Sequence, residues 1–333
     1  MSPAPSLIAH GLTRSFSDRK VVDQANLSLD PGQVTALIGP SGSGKTTLLR
    51  MLAGMEIPDE GTVRSGEDLL SGPHTFIPIE KRRIGLVFQD FALFPHLSVL
   101  GNVMFGLQHL QKSDRVLQAD AWIERLGLSH RREAFPHQLS GGEQQRTAIA
   151  RALAPDPVAI LLDEPFSGLD PTMRDQARNA ALEAVRAANI PALMVTHDAT
   201  EALLHSDRVA VIHEGQILQC DAPETVYRSP SSMNVARALG PLHSIKRSAL
   251  PDPWQAEIDG AAENLFYRPE AIKLGDGVAC EILQTRLAGA VTELDLKLTD
   301  TVTITAACQP SQALGVGDTV SVSLNPDLIF DFA

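Results

Sequence analysis

Short apolar runs separated by longer amphipathic stretches set the pattern of the first two thirds of the chain. Val34-Thr35-Ala36-Leu37-Ile38 is an apolar run that stops at Gly39-Pro40, as a buried strand does. Thr46 to Ala53 follows, with the helix-favouring Leu48, Leu49 and Leu52 and a stop at Gly54. Runs of the first kind recur at Ile84–Phe88, Val158–Leu162, Ala192–Val195 and Arg208–Ile212, with helical patterns between several of them, notably over 172–188. Apolar strands alternating with helices predict a parallel sheet covered on both faces, an α/β domain. Residues 100–155 read as mainly helical, a subdomain inserted between strands.

The texture changes near Leu239-Gly240-Pro241. Beyond it, polar and apolar residues alternate over Glu293–Leu298, Thr301–Ala306 and Thr319–Leu324, and Gly315-Val316-Gly317-Asp318 reads as a turn before the last of these. The expected organisation is therefore an α/β domain over 1–240 and a small all-β domain over 241–333. That second segment holds 6 Lys or Arg against 13 Asp or Glu, so it carries −7 of the total formal charge of −12. So acidic a balance argues against a nucleic-acid partner, which calls for a basic surface. A single nucleotide needs only a few local donors and stays open.

Three cysteines, Cys220, Cys280 and Cys308, stand far apart with no CxxC spacing and read as reduced thiols. No apolar run approaches the roughly 20 residues of a membrane helix. Nor does the start of the chain join a basic stretch to an apolar core as a secretion signal would. The expected place is the cytoplasm, with any work at a membrane done by docking to other proteins.

The chemistry is carried by three strand ends. Gly39-Pro-Ser-Gly-Ser-Gly44-Lys45-Thr46 matches the phosphate-loop pattern GxxxxGK[ST] between a strand and a helix. Its glycines let the backbone curl so that N–H groups point at phosphate oxygens, and the following helix adds its positive end. Lys45 supplies a point charge and Thr46 a hydroxyl for Mg²⁺. The nucleotide-binding set predicted here is Gly39, Ser41, Gly42, Ser43, Gly44, Lys45, Thr46 and Thr47. Val158-Ala-Ile-Leu-Leu162 ends in Asp163-Glu164, and strand alternation sends those two carboxylates to different sides. One is then free to hold a metal shell while the other addresses water. His197 lies just past the run Ala192–Val195, where ligands bind in open α/β sheets.

Leu139-Ser140-Gly141-Gly142-Glu143-Gln144-Gln145-Arg146 narrows the class. Taken alone it is a helix start capped by Ser140, with Glu143 closing a capping box, and such a helix end is itself a phosphate site. The stretch also resembles the signature sequence of ABC ATPases. The other motifs of that family follow its order: a Q-loop with Gln89 in Val87-Phe88-Gln89-Asp90, then Asp163-Glu164, Ser167-Gly168-Leu169-Asp170 and Val195-Thr196-His197-Asp198. The resemblance covers residues 1–240 and implies a P-loop NTPase fold of ABC type with a helical subdomain. It implies ATP and Mg²⁺ as cofactors, with Thr46, Gln89 and Asp163 on the metal and Glu164, His197, Gln89 and Lys45 as the catalytic group. It further implies that Phe16 stacks on adenine and that Ser140, Gly141, Gly142 and Asp170 complete the site across a head-to-tail homodimer.

Residues Asp221 to Pro230, the end at Leu239-Gly240 and Phe266-Tyr267-Arg268-Pro269-Glu270 resemble the link and the small OB-like TOBE domain of bacterial importers. The partners so implied are two integral-membrane permease subunits, docked around residues 89–105, and indirectly a solute-binding protein. The chain would then lie at the cytoplasmic face of the inner membrane as a peripheral protein. Ile79-Glu80-Lys81-Arg82-Arg83-Ile84 and Pro136-His137-Gln138 resemble ferric-iron importers most closely, although polyamine, sulfate, molybdate and sugar importers share nearly all of that text. A soluble ABC ATPase of DNA repair or translation is the alternative from another class. The 92 residues between Thr46 and Leu139, without a heptad run, and the single ATPase domain argue against it.

Overall fold

The structure, a computed structural model, describes residues 4–168, 171–258, 260–310 and 314–332. Two compact units divide at Val226/Tyr227, so residues 227–240 go with the C-terminal unit.

The N-terminal unit opens with β1 (Leu7–Phe16), β2 (Arg19–Leu29), β3 (Val34–Ile38) and α1 (Lys45–Ala53). After these come β4 (Glu60–Ser65), β5 (Asp68–Gly72), β6 (Thr75–Phe76), α2 (Ile79–Arg82) and β7 (Ile84–Val87). Three helices, α3 (Val99–Met104), α4 (Lys112–Arg125) and α5 (Gly141–Leu153), fill the region read as helical. The unit continues with β8 (Ala159–Asp163), α6 (Pro171–Ala187), β9 (Ala192–Val195) and α7 (Ala199–His205). It ends with β10 (Arg208–His213), β11 (Gln216–Asp221) and the start of α8 (Pro223–Arg228).

Its main sheet has the order β11-β10-β3-β9-β8-β7. The five strands from β10 to β7 are parallel, and β11 joins β10 antiparallel as an edge. All of Val34–Ile38, Ala192–Val195 and Ala159–Leu162 is buried, which explains why these strands read as unbroken apolar runs rather than alternating ones. A second, antiparallel sheet of order β2-β1-β4-β5-β6 was not legible as a separate layer. The core joins both sheets through α1: Leu48, Leu49, Met51 and Leu52 pack with Leu12, Val22 and Val63 from one and Leu37, Leu161 and Leu193 from the other.

Arg82 anchors the far end of α1. It is 2% exposed, and its guanidinium donates to the carbonyls of Met51 (3.0 Å) and Leu52 (2.9 Å), which close that helix. It also reaches the carbonyls of Ile77 (2.5 Å) and Leu70 (3.3 Å) and the Ser71 hydroxyl. A cation at a helix C-terminus meets the negative end of the dipole and supplies donors the last turn lacks.

The C-terminal unit holds α9 (Met233–Ala238), β12 (His243–Lys246), α10 (Asp252–Glu257), β13 (Asn264–Tyr267) and β14 (Ile272–Ala288). It closes with β15 (Val291–Lys297), β16 (Thr303–Cys308), β17 (Thr319–Leu324) and β18 (Ile329–Phe330). These strands form two sheets, β12-β13-β18 and β16-β15-β14-β17, around a core with Trp254, Tyr267, Ile282, Leu294, Leu296 and Val322. The strands expected over 293–298, 301–306 and 319–324 correspond to β15, β16 and β17. The short helix α10 was not anticipated; it buries Trp254. All three cysteines are free thiols.

Candidate active site

Because β3, β9, β8 and β7 are parallel neighbours, their C-terminal ends deliver four segments to one edge of the sheet. In register, Leu37 and Asp163 both pair with Val195, and Val87 pairs with Leu162. The phosphate loop thus stands beside Thr196-His197, then Asp163-Glu164, then Gln89, at the edge where open α/β sheets bind ligands.

The loop needs its glycine at position 44. Gly44 has φ of +103°, and a Cβ there would lie 2.4 Å from the Val21 carbonyl oxygen. It caps α1 with no side-chain acceptor, so the first N–H groups of the helix are left for an anion. Lys45 is 9% exposed and donates through Nζ to the carbonyls of Gly39 (2.8 Å) and Pro40 (2.9 Å). Burial lowers its pKa, and the carboxylates of Glu164 and Asp163 oppose that shift. Gly39, Ser43 and Gly44 are buried, Thr47 is half-buried, and Ser41, Gly42 and Thr46 face solvent.

Glu164 sits at a strained left-handed φ of 44° immediately after β8, and its N–H donates to the Val195 carbonyl at 3.0 Å. That pose brings its Oε2 to 3.1 Å from His197 Nδ1 and 3.4 Å from Gln89 Nε2. Gln89 Nε2 is also 3.4 Å from Ser167 Oγ, which donates back to the Glu164 carbonyl at 3.0 Å. Glu164, Ser167, Thr196, His197, Asp198 and Glu201 line a cleft of about 50 Å³. Behind the histidine, the Thr196 hydroxyl donates to the buried Glu201 and accepts the Asp198 N–H at 3.1 Å, which fixes the turn that carries His197.

The carboxyl of Asp163 has no hydrogen-bond or ion-pair partner among the described residues. Burial raises its pKa, Glu164 beside it adds to the rise, and Arg50 and Lys45 oppose it. Such a carboxylate fits a hard cation, and with the Thr46 hydroxyl and Gln89 it forms an oxygen-rich set. Among the described residues no cluster of three or more His, Cys, Asp or Glu could hold a metal ion, so a magnesium ion here would take most ligands from phosphate and water.

The structure gathers Lys45, Asp163, Glu164, Gln89 and His197, but not the signature residues. Ser140 caps α5, and Glu143 completes the capping box expected from the sequence. Among the described residues no hydrogen bond or ion pair links Ser140, Gly141 or Gly142 to the phosphate loop. Phe16 ends β1 and is 44% exposed, with the Arg14 guanidinium 4.9 Å above its ring. Asp170 lies outside the described residues. Arg14, Ser167 and the Thr196–Glu201 pair were not singled out as site residues. Arg14 stands over Phe16 two residues on, Ser167 contacts Gln89 and Glu164, and the Thr196–Glu201 pair holds the turn of His197. Ser167 and Thr196 lay within quoted motif text; Arg14 and Glu201 did not.

Past Gln89 the chain turns on two consecutive left-handed residues, Phe91 (φ 61°) and Ala92 (φ 43°). Arg151, from the last turn of α5, holds both of their carbonyls, at 2.9 and 2.6 Å. Phe91 is buried, whereas Phe94 is half-buried and packs on the 46% exposed Phe105 at a centroid distance of 4.2 Å.

Both parts of the chain are similar to known proteins. The ABC transporter family matches residues 22–167, and the TOBE domain family matches residues 266–332. A Pectobacterium atrosepticum protein, Fe(3+) ions import ATP-binding protein FbpC 2, is 37% identical over 337 residues, covering 95% of this chain and 96% of the relative. The chain belongs to the ATP-binding proteins of ABC transporters. A Haemophilus influenzae member, Fe(3+) ions import ATP-binding protein FbpC, is 42% identical over 238 residues, or 71% of this chain and 68% of its own. Among solved structures, the ADP conformation of an ATP-binding cassette of an ABC transporter superposes with a TM-score of 0.61 at 26% identity. It covers 70% of this chain and 98% of that one. A dimeric, post-hydrolysis ATP-binding cassette bound to ADP and Pi gives a TM-score of 0.57 at 28% identity, covering 65% and 98%. This ABC protein therefore binds nucleotide and is an ATPase coupled to transport. Among its described residues no helix is long and apolar enough to cross a membrane.

Proposed function

We propose that this chain is the ATP-hydrolysing subunit of a bacterial importer of ferric iron. The observation that carries the ATPase half is the Glu164 carboxylate, held at 3.1 Å by His197 and approached by Gln89 beside the phosphate loop. The iron half rests on the relatives, which carry that solute in their names, one of them similar over nearly the full length of both chains.

In the proposed reaction water attacks the γ-phosphorus of ATP, the bond to the β-γ bridging oxygen breaks, and ADP, inorganic phosphate and a proton leave. The backbone of 39–44 and Lys45 bind the phosphates, and charge accumulating there meets the N–H end of α1. Glu164 orients the water and accepts its proton; the His197 bond keeps that carboxylate facing the cleft. Thr46, Asp163 and Gln89 would hold Mg²⁺, which neutralises the β- and γ-oxygens when bound. Phe16, braced by Arg14, offers its free face to adenine. Because, among the described residues, Ser140, Gly141 and Gly142 have no hydrogen bond or ion pair to the chain's own loop, they serve the nucleotide of a second copy. ATP then favours closure of a head-to-tail homodimer, and hydrolysis removes the contacts that favoured it. Phe94 and Phe105 lie in the segment that docks two permease subunits, with a solute-binding protein beyond them. This places the protein peripherally on the cytoplasmic face of the inner membrane.

Two experiments test the proposal. Glu164→Gln should retain ATP binding while phosphate release falls by about 10³-fold; near-normal turnover would refute the role. Uptake of labelled Fe³⁺ in cells lacking the gene should return with the intact chain and not with Lys45→Ala. Unchanged uptake on deletion would leave the ATPase standing and move the solute to polyamine, sulfate or a sugar.

A further inference from the structure

The start of α5 carries a charge that a phosphate site should not tolerate. Glu143 is 8% exposed and lies in the first turn, so its carboxylate stabilises the helix. For the same reason it opposes any second anion brought to Ser140-Gly141-Gly142. Its four contacts divide cleanly. Oε2 accepts the Ser140 N–H at 2.8 Å and the Ser140 hydroxyl at 3.0 Å. Oε1 accepts Arg131 Nε at 2.9 Å and lies 3.4 Å from His130 Nε2.

Arg131 ends the short 3-10 turn Ser129–Arg131, and its own side chain is 44% exposed, so core packing does not fix the guanidinium. Arg146 is also near the Glu143 charge, but its Nε is buried without a hydrogen-bond partner and it makes no bond to that carboxylate. Arg131 is thus the one arginine bonded to Glu143 among the described residues, and it takes the oxygen that Ser140 leaves free.

We propose that Arg131 is a positioning residue for ATP. By neutralising Glu143 and holding its Oε1, it leaves Oε2 to orient Ser140 and makes the start of α5 acceptable to the γ-phosphate of a nucleotide bound to the second copy. The inference rests on the dimer reading above.

The test uses the full chain carrying Glu164→Gln, so that ATP persists, and follows ATP-induced dimerisation by light scattering over a range of ATP concentrations. Adding Arg131→Ala should raise the midpoint by about 3- to 5-fold, the scale of a partly exposed ion pair. Arg131→Lys should recover part of the shift through charge alone. Glu143→Gln placed on Arg131→Ala should bring the midpoint back, because glutamine keeps the capping box without the charge. Thermal melts establish that each variant is folded at the assay temperature. If the parent fails to dimerise with ATP, the head-to-tail reading falls and the role of Arg131 with it. If the parent dimerises and Arg131→Ala leaves the midpoint unchanged, this proposal alone is overturned. A shift that Glu143→Gln does not reverse also overturns it, since Arg131 would then only be tying its turn to α5.

Discussion

Replacing Arg82 with methionine is the sharpest test of how the nucleotide unit is held together. The guanidinium is 2% exposed with no carboxylate partner among the described residues, and burial pushes its pKa down to about 10 from 12.5. That shift corresponds to roughly 3 kcal/mol of desolvation cost, which an apolar side chain would not incur. Against it stand the carbonyls of Leu52 and Ile77 and the oxygen of Ser71, which lose their donor, whereas the carbonyls of Met51 and Leu70 keep the N–H groups of Gly54 (3.2 Å) and Ile77 (2.9 Å). Each buried acceptor left unpaired costs about 1–2 kcal/mol. At the upper end of that range the three acceptors outweigh the relief, and a net loss of about 3 kcal/mol follows. Arg82→Lys keeps the charge but not the planar fork and should recover less than half. Urea unfolding followed by circular dichroism, with Arg82→Met beside the parent, reads the difference. A loss below about 1 kcal/mol would show that water or local rearrangement satisfies the last turn of α1 and that the guanidinium is not what closes it.

Arg268 offers the contrast, since it is fully buried over the Tyr227 ring at 3.9 Å, yet its Nε and Nη1 have no hydrogen-bond partner among the described residues. Arg268→Met should therefore cost no more than about 2 kcal/mol in a melt of the C-terminal unit, below the loss at Arg82. Gly44→Ala should cost at least about 1 kcal/mol through its positive φ alone, and the clash with Val21 should abolish binding of a fluorescent ATP analogue. Glu143 gives a pH signature. Burial works against its charge, but the Ser140 N–H, Arg131 and the Ser140 hydroxyl outweigh it and hold the pKa at about 2, below the ordinary 4.5. A depressed carboxylate stabilises above its unfolded pKa and loses that contribution as pH falls through 4.5 toward 2. Between pH 5 and 2 the parent should thus lose up to about 3 kcal/mol more than Glu143→Gln in acid unfolding curves.

Much of the site was legible because its residues are held by local chemistry. The curl of 39–46 needs glycine and a following helix, and both are contiguous in the chain. The capping box from Ser140 to Glu143 spans only four residues and was readable as such. Buried parallel strands declare themselves as unbroken apolar runs, so β3, β7, β8, β9 and β10 are legible from pattern alone. Tertiary structure alone decided the order β10-β3-β9-β8-β7, which sets His197 between the phosphate loop and Glu164 although they are far apart in sequence. It decided which arginines matter: Arg14, Arg82, Arg131, Arg151 and Arg268 look alike in the sequence. Their roles come from partners 12 to 60 residues away in the chain, a carboxylate, the end of a helix, a backbone carbonyl or a strained turn. Pattern reports what a residue needs from its neighbours in the chain; long-range electrostatics and hydrogen bonding depend on who is brought alongside, and only the packed fold determines that.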